Sequence, residues 1–200
     1  MTDLLEYQKI ASQLLDVASD GDRGRSATDR FLVDKITEGR LRGRYSCCGD
    51  VAHWLYYRLG VREHWINRDE FRGWRMGLNI SLLCRHRYAG EPIEAGDVLI
   101  IYNKGSNSTH AVCVAAAHDD GWLSTVEGGQ PGCEAFLRRV AEKDGLPCLA
   151  TEEGKPGRTL QWHLRLETVI ATCQLAPADR SLVDGLIAER NHYETGDSTE

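Results

Sequence analysis

The hydrophobic period of this chain changes once, near Pro92, and that change restricts the folds open to it. Before Pro92, apolar residues recur every three or four positions. Leu4, Tyr7, Ala11, Leu14, Leu15 and Ala18 line one face of a helix over 3–19, closed by Gly21 and Gly24. Ser26 with Asp29 resembles a capping box for a second short helix, carried through Phe31, Leu32, Lys35 and Ile36 to Gly39. A basic, glycine-containing loop over 39–44 leads to a third helix, from Cys48 to Leu59, stopped by Gly60. Residues 61–90 hold Trp65, Phe71 and Trp74 among charges and glycines, with a further helix over Leu78 to Tyr88.

After Pro92 the pattern is that of strands. Asp97 to Tyr102 and Thr109 to Ala116 are short apolar runs. His118-Asp119-Asp120-Gly121 has turn chemistry, and Trp122 to Glu127 returns. An excursion rich in glycine and charge spans 128–157. Thr159 to Leu166 alternates, with Leu160, Trp162, Leu164 and Leu166 on one face, and Val169 to Leu175 reads as another strand. Residues 178–190 read as a closing helix. Helices first and antiparallel strands after predict an α+β fold rather than alternating βαβ units. The length suits one domain, over 1–193, followed by a polar, disordered tail over 194–200.

Apolar residues at 42% and charged residues at 27% are the proportions of a soluble globular chain. No run approaches the roughly 18 apolar residues of a membrane span. MTDLLEYQKI lacks the basic start and apolar middle of a signal peptide, so the chain is expected to be made in the cytoplasm and to leave, if at all, through a dedicated secretion machine. A formal charge of −6 argues against nucleic acid as a partner. Arg85-His86-Arg87, the densest basic cluster, reads as a solvated face. Seven cysteines, an odd number without any CxxC pair, exclude zinc-ribbon and thioredoxin signatures, and the chain reads as reduced. Cys47 and Cys48 with the histidines near them match no standard ligand spacing, so no metal is expected.

Cys48 stands where a helix begins. Free N–H groups and partial positive charge there lower a thiol's pKa and can stabilise an oxyanion. Cys48 shares a helix face with Ala52, Leu55 and Leu59, toward the protein body, whereas Cys47 lies about 100° round the helix. Cys48 is therefore the candidate nucleophile, against the plainer reading of two buried core cysteines. His110, at the head of the apolar run Ala111-Val112-Cys113-Val114, is the candidate general base, since a strand can hold it rigidly. If the 110–127 hairpin has an even-length loop, Glu127 shares a sheet face with His110 and can orient its imidazole. Gln130 would then lie on the other face unless Gly128-Gly129 forms a bulge. The plain alternatives are a structural histidine and a surface carboxylate.

Four short motifs follow in order: Cys48-Gly49-Asp50-Val51-Ala52, Glu94-Ala95-Gly96-Asp97-Val98-Leu99-Ile100, Thr109-His110-Ala111-Val112-Cys113-Val114 and Thr125-Val126-Glu127-Gly128-Gly129-Gln130. Over residues 45–130 the chain resembles the CHAP and NlpC-like cysteine amidohydrolases and peptidases. The resemblance implies a papain-like α+β fold with N-terminal helices, the nucleophile at a helix start, packed on a small antiparallel sheet. It implies hydrolysis of amide bonds, most often in peptidoglycan peptides, with no obligatory cofactor. Carried over by position, Cys48 is the nucleophile, His110 the base and Glu127 the third residue; Gln130 is the alternative third residue and Tyr45 a pocket residue. Gly49-Asp50 departs from the family's small-then-aromatic pattern after the cysteine. The acidic charge and missing signal fit an interbacterial effector or phage lysis component, with a cognate inhibitor protein as partner. The rivals are a papain-like deamidase, transglutaminase or protease toxin acting on proteins, and a non-catalytic binding module with carbohydrate stacked on Trp65, Trp74 and Trp122.

Overall fold

β-branched and aliphatic residues at alternate positions from Val98 onward give strands whose two faces are both apolar, and both faces find a partner. The computed structural model describes residues 4–19, 48–61, 84–105, 107–130, 132–151 and 157–195. Among them are helices α1 (Leu4–Ala18), α2 (Cys48–Arg58), α3 (Leu166–Cys173) and α4 (Ser181–Thr195). The strands are β1 (Arg85–Arg87), β2 (Val98–Asn103), β3 (Ser108–Ala117), β4 (Trp122–Gln130), β5 (Gly132–Lys143), β6 (Leu146–Thr151) and β7 (Arg158–Leu164). All pairings are antiparallel. β2 to β6 pair in chain order, and β7 pairs with both β2 and β6, closing six strands into a barrel. β1 adds to the same edge of β7 as β6, beyond the point where β6 ends.

This corrects the papain-like α+β expectation of helices on a small sheet. The deciding segment is 132–151. Its charged residues read as a loop excursion, yet it forms the long β5–β6 hairpin. Leu137, Arg139 and Lys143 point outward, which is how a strand can look charged and still bury its other side. Without that hairpin the sheet would have open edges; with it, the edges are removed. Two smaller corrections accompany it. Val169 to Leu175 is mostly the helix α3, and Arg85–Arg87 is a strand where a helix to Tyr88 was expected. The second helix predicted over 26–39, and Trp65, Phe71 and Trp74, lie outside the described residues.

The two faces of the sheet carry separate cores. Leu99, Ile101, Val112, Val114, Leu123, Leu149 and Leu160 fill the barrel. A six-strand barrel is narrow enough for side chains to fill it. On the outer face, Val98, Ile100, Ala111, Cys113 and Val126 pack against α1 and α2. α1 contributes Tyr7, Ile10, Ala11, Leu14 and Leu15, each almost wholly buried. Each of the isoleucine and leucine side chains among them contributes roughly 1.5–3 kcal/mol on burial. α2 is buried nearly all round, from Val51 to Leu59 with only Tyr57, Arg58 and their side turned out. That burial fixes the helix on β3 and β4 and so fixes where its first residue stands.

Candidate active site

α2 begins at Cys48, and its axis points that end at the start of β3. Cys48 is 8% exposed. Its sulfur hydrogen-bonds the His110 ring and accepts from the backbone N–H groups of Ala111 and Gly49. Burial alone would raise the thiol's pKa; His110 and the two N–H groups outweigh it and bring the pKa below its ordinary value.

His110 Nε2 lies 2.8 Å from Glu127 Oε2, which leaves Nδ1 as the nitrogen that faces the thiol. Burial tends to lower the imidazole's pKa. Hydrogen bonds to Cys48 and Glu127, with their charges, reverse this and raise it to about 9. Each member of the pair thus favours the charged form of the other.

Glu127 is 3% exposed, and four donors account for it. Oε1 accepts from Arg138 Nε at 2.7 Å and from Thr125 Oγ1 at 3.1 Å. Oε2 accepts from Arg138 Nη2 at 2.9 Å and from His110 Nε2 at 2.8 Å. That is about the full capacity of a carboxylate. Burial raises its pKa, but His110 and Arg138 together hold it below the usual carboxylate range.

The strand registers explain the meeting. Cys113 pairs with Val126 and Val114 with Thr125, so opposed residue numbers sum to an odd value and His110 and Glu127 share the barrel-side face. The turn itself does not give that parity. Ala116 pairs with Ser124 and Ala117 with Leu123, an even sum, and an irregularity at Ala115 changes it. On β5, Arg138 pairs with Leu123, which puts it on the same face as Thr125 and Glu127.

Of the residues expected at the site, Cys48, His110 and Glu127 come together. Gln130 lies in β4 beyond a register shift between Glu127 and Gln130; its side chain, like all of Tyr45 and Cys47, is outside the described residues. Arg138 joins the site unannounced by the sequence. Only the alternation of Phe136, Arg138 and Val140, all half-buried, against exposed Ala135, Leu137 and Arg139 could have marked it. Asp97, in the motif with Gly96, stands elsewhere. Its carboxylate caps α3 through the Leu166 N–H at 2.8 Å and holds His163 Nε2 at 2.7 Å.

Chemically, the arrangement presents a thiol of lowered pKa, an imidazole of raised pKa beside it and a fixed carboxylate behind. No family model, curated protein or solved structure matches this chain. The resemblance read from the four motifs therefore has no support beyond the motifs themselves.

Proposed function

We propose that this protein is a cysteine hydrolase of amide bonds, with Cys48 as nucleophile, His110 as acid and base, and Glu127 holding the imidazolium. The observation that carries this reading is the unbroken hydrogen-bonded series from Cys48 through His110 and Glu127 to Arg138. A structural histidine does not need a thiol on one nitrogen and a buried, four-fold satisfied carboxylate on the other.

The thiolate attacks the carbonyl carbon, and the electron pair moves to the carbonyl oxygen. The N–H groups of a helix's first turn lack intrahelical acceptors, and in this reading those of α2 stabilise that oxyanion. Collapse breaks the C–N bond, the leaving amine takes the His110 proton, and a thioester remains. Water then attacks the thioester while neutral His110 takes its proton, releasing acid product and restoring the ion pair. Glu127 favours the protonated form of His110 throughout and touches no reacting atom, so it is a positioning residue.

Peptidoglycan peptides are the substrate class to test first, on the resemblance of the motifs. Purified muropeptides and a mixed peptide library are incubated with the full chain and with Cys48→Ala, and the products are weighed by mass spectrometry. Cleavage that adds one water, occurs with wild type and is absent with Cys48→Ala supports the reading. Cleavage confined to the peptide library moves the substrate to proteins. Hydrolysis unaffected by Cys48→Ala overturns the nucleophile.

A further inference from the structure

We propose that His86, Glu91 and His163 form a binding site for a divalent transition-metal ion of the zinc class. The site lies at the junction of β1, β7 and the segment after β1. His86 and His163 are directly opposed across the β1–β7 pairing, and their ring centroids are 5.3 Å apart. Glu91 turns back between them. One of its oxygens, Oε1, faces both rings, His163 Nδ1 at 3.1 Å and His86 Nε2 in a shorter contact. Its other oxygen, Oε2, is held by the Ala89 backbone N–H at 2.8 Å. The two imidazole nitrogens and the carboxylate oxygen all lie within 4.8 Å of one another. Donors bound to one tetrahedral ion at about 2.0–2.2 Å stand about 3.4 Å apart, so small side-chain adjustments suffice.

His163 supplies the argument for a cation. It is fully buried, and its Nε2 faces Asp97 Oδ2 at 2.7 Å. Asp97 is fixed, since Oδ1 accepts from the Leu166 N–H at 2.8 Å and Oδ2 also accepts from the Glu94 N–H at 2.9 Å. A neutral imidazole that donates Nε2–H to Asp97 presents a lone pair at Nδ1. That lone pair points at a carboxylate oxygen, an arrangement of two acceptors that needs a proton or a metal ion between them. Carboxylate, then histidine, then metal is the order in which proteins commonly orient a ligand imidazole. Three protein donors leave one tetrahedral position for water or a small anion, and His86 is exposed enough to admit one.

The site is separate from Cys48. His163 pairs with Leu99 and Leu99 with Val112, so β2 lies between the strand that carries His163 and the strand that carries His110. The proposal does not depend on the hydrolase reading. A proton on Nδ1, making a buried imidazolium, is the competing account of the same geometry, and it predicts no metal.

The test uses the full chain, stripped with chelator and titrated calorimetrically with Zn²⁺ alone. Wild type, His86→Ala, Glu91→Gln and Cys48→Ala are compared, with metal content checked by elemental analysis after dialysis. One ion per chain is expected for wild type and Cys48→Ala, with at least tenfold weaker binding in the other two. At a hundredfold excess over Kd, Zn²⁺ should raise wild-type Tm by roughly 5–11 °C. His86 and Glu91 are partly exposed, so metal-free His86→Ala and Glu91→Gln should fold and melt near metal-free wild type. Co²⁺ substitution should give a spectrum without thiolate charge transfer. Absence of binding, equal binding in His86→Ala, or loss of binding in Cys48→Ala overturns the proposal.

Discussion

Glu127→Gln removes one negative charge from behind His110 and changes almost no volume. The carboxamide oxygen can still accept from Arg138 and Thr125, but its amide nitrogen then meets His110 as a donor rather than an acceptor. The magnitude follows from the imidazole. Its rise from the ordinary 6.5 to about 9 corresponds to roughly 3 kcal/mol of preference for the imidazolium. The hydrogen bond to Cys48 supplies part of this and Glu127 the rest, so in the variant the pKa falls back toward 6.5. A fall of the whole way would take the protonated fraction at pH 8 from about 90% to about 3%, so a factor of roughly 30 is the ceiling; at pH 6 the ceiling is about 1.5.

The variant should therefore lose activity steeply above pH 7 and comparatively little at pH 6, apart from what misorientation costs at every pH. The upper limb of the pH–rate profile moves down, because a folded pKa raised by the negative neighbour falls when that neighbour is neutralised. NMR titration of the His110 ring protons provides a reading that needs no substrate. The transition near pH 9 belongs to the Cys48–His110 pair jointly, and the comparison of variant with wild type is what reports Glu127. A titration unchanged in Glu127→Gln, or an activity loss of the same factor at pH 6 and pH 8, would refute the reasoning.

Cys48 should alkylate with iodoacetamide at pH 6.5 far faster than Cys84 or Cys173, whose thiols burial pushes up, Cys173 to about 11; peptide mapping after a short pulse reads it, and uniform labelling would remove the basis for a thiolate. Arg138→Met should lower stability by about 3 kcal/mol in urea unfolding at neutral pH, since it removes two of the four donors to a buried, charged Glu127 and leaves His110 as its cationic partner; a loss under 1 kcal/mol would show the guanidinium to be dispensable. Protonated His110 should stabilise the fold fully below pH 6.5 and lose that contribution as pH rises through about 9, a slope that Glu127→Gln should flatten. Gly96→Ala should cost about 2–4 kcal/mol, because Gly96 has φ +87° and an added Cβ would meet Leu166 Cδ2 at 2.5 Å; an unchanged melting curve would contradict it.

What the sequence revealed and concealed separates by range. α1 and α2 were legible because a buried helix face writes itself at a spacing of three and four residues. β2, β3, β4 and β7 were legible because their apolar runs are flanked by turn residues. β5 and β6 were not, since Gly132–Lys143 has charges at both parities, Arg139 and Lys143 outward and Arg138 inward, so neither face reads as an apolar stripe. α3 misled because Val169 and Ile170 suit a strand, and only the Asp97 cap on the Leu166 N–H and the burial of Leu166, Val169 and Ile170 in the core decide for helix. The meeting of His110 and Glu127 was inferred from an even-length turn. The turn has the other parity, and the irregularity at Ala115 brings the two residues to one face all the same.

Closure of the barrel and the polarity of its inner face depend on each other. A carboxylate on the inside of an open sheet could be solvated from the edge. Between β3 and β5 of a closed barrel it has to be satisfied by side chains alone, and Thr125, His110 and Arg138 supply donors from three consecutive strands. Arg138 reaches Glu127 only because β5 pairs with β4 over its full length, which in turn requires the β5–β6 hairpin that closes the barrel. The hairpin that overturned the expected α+β fold is thus also the element that makes a buried, ionised Glu127 stable beside His110. A papain-like arrangement of the same motifs, lacking that hairpin, would leave the third residue to be oriented by solvent or by Gln130. Here its charge and direction are set by a guanidinium eleven residues further along the chain.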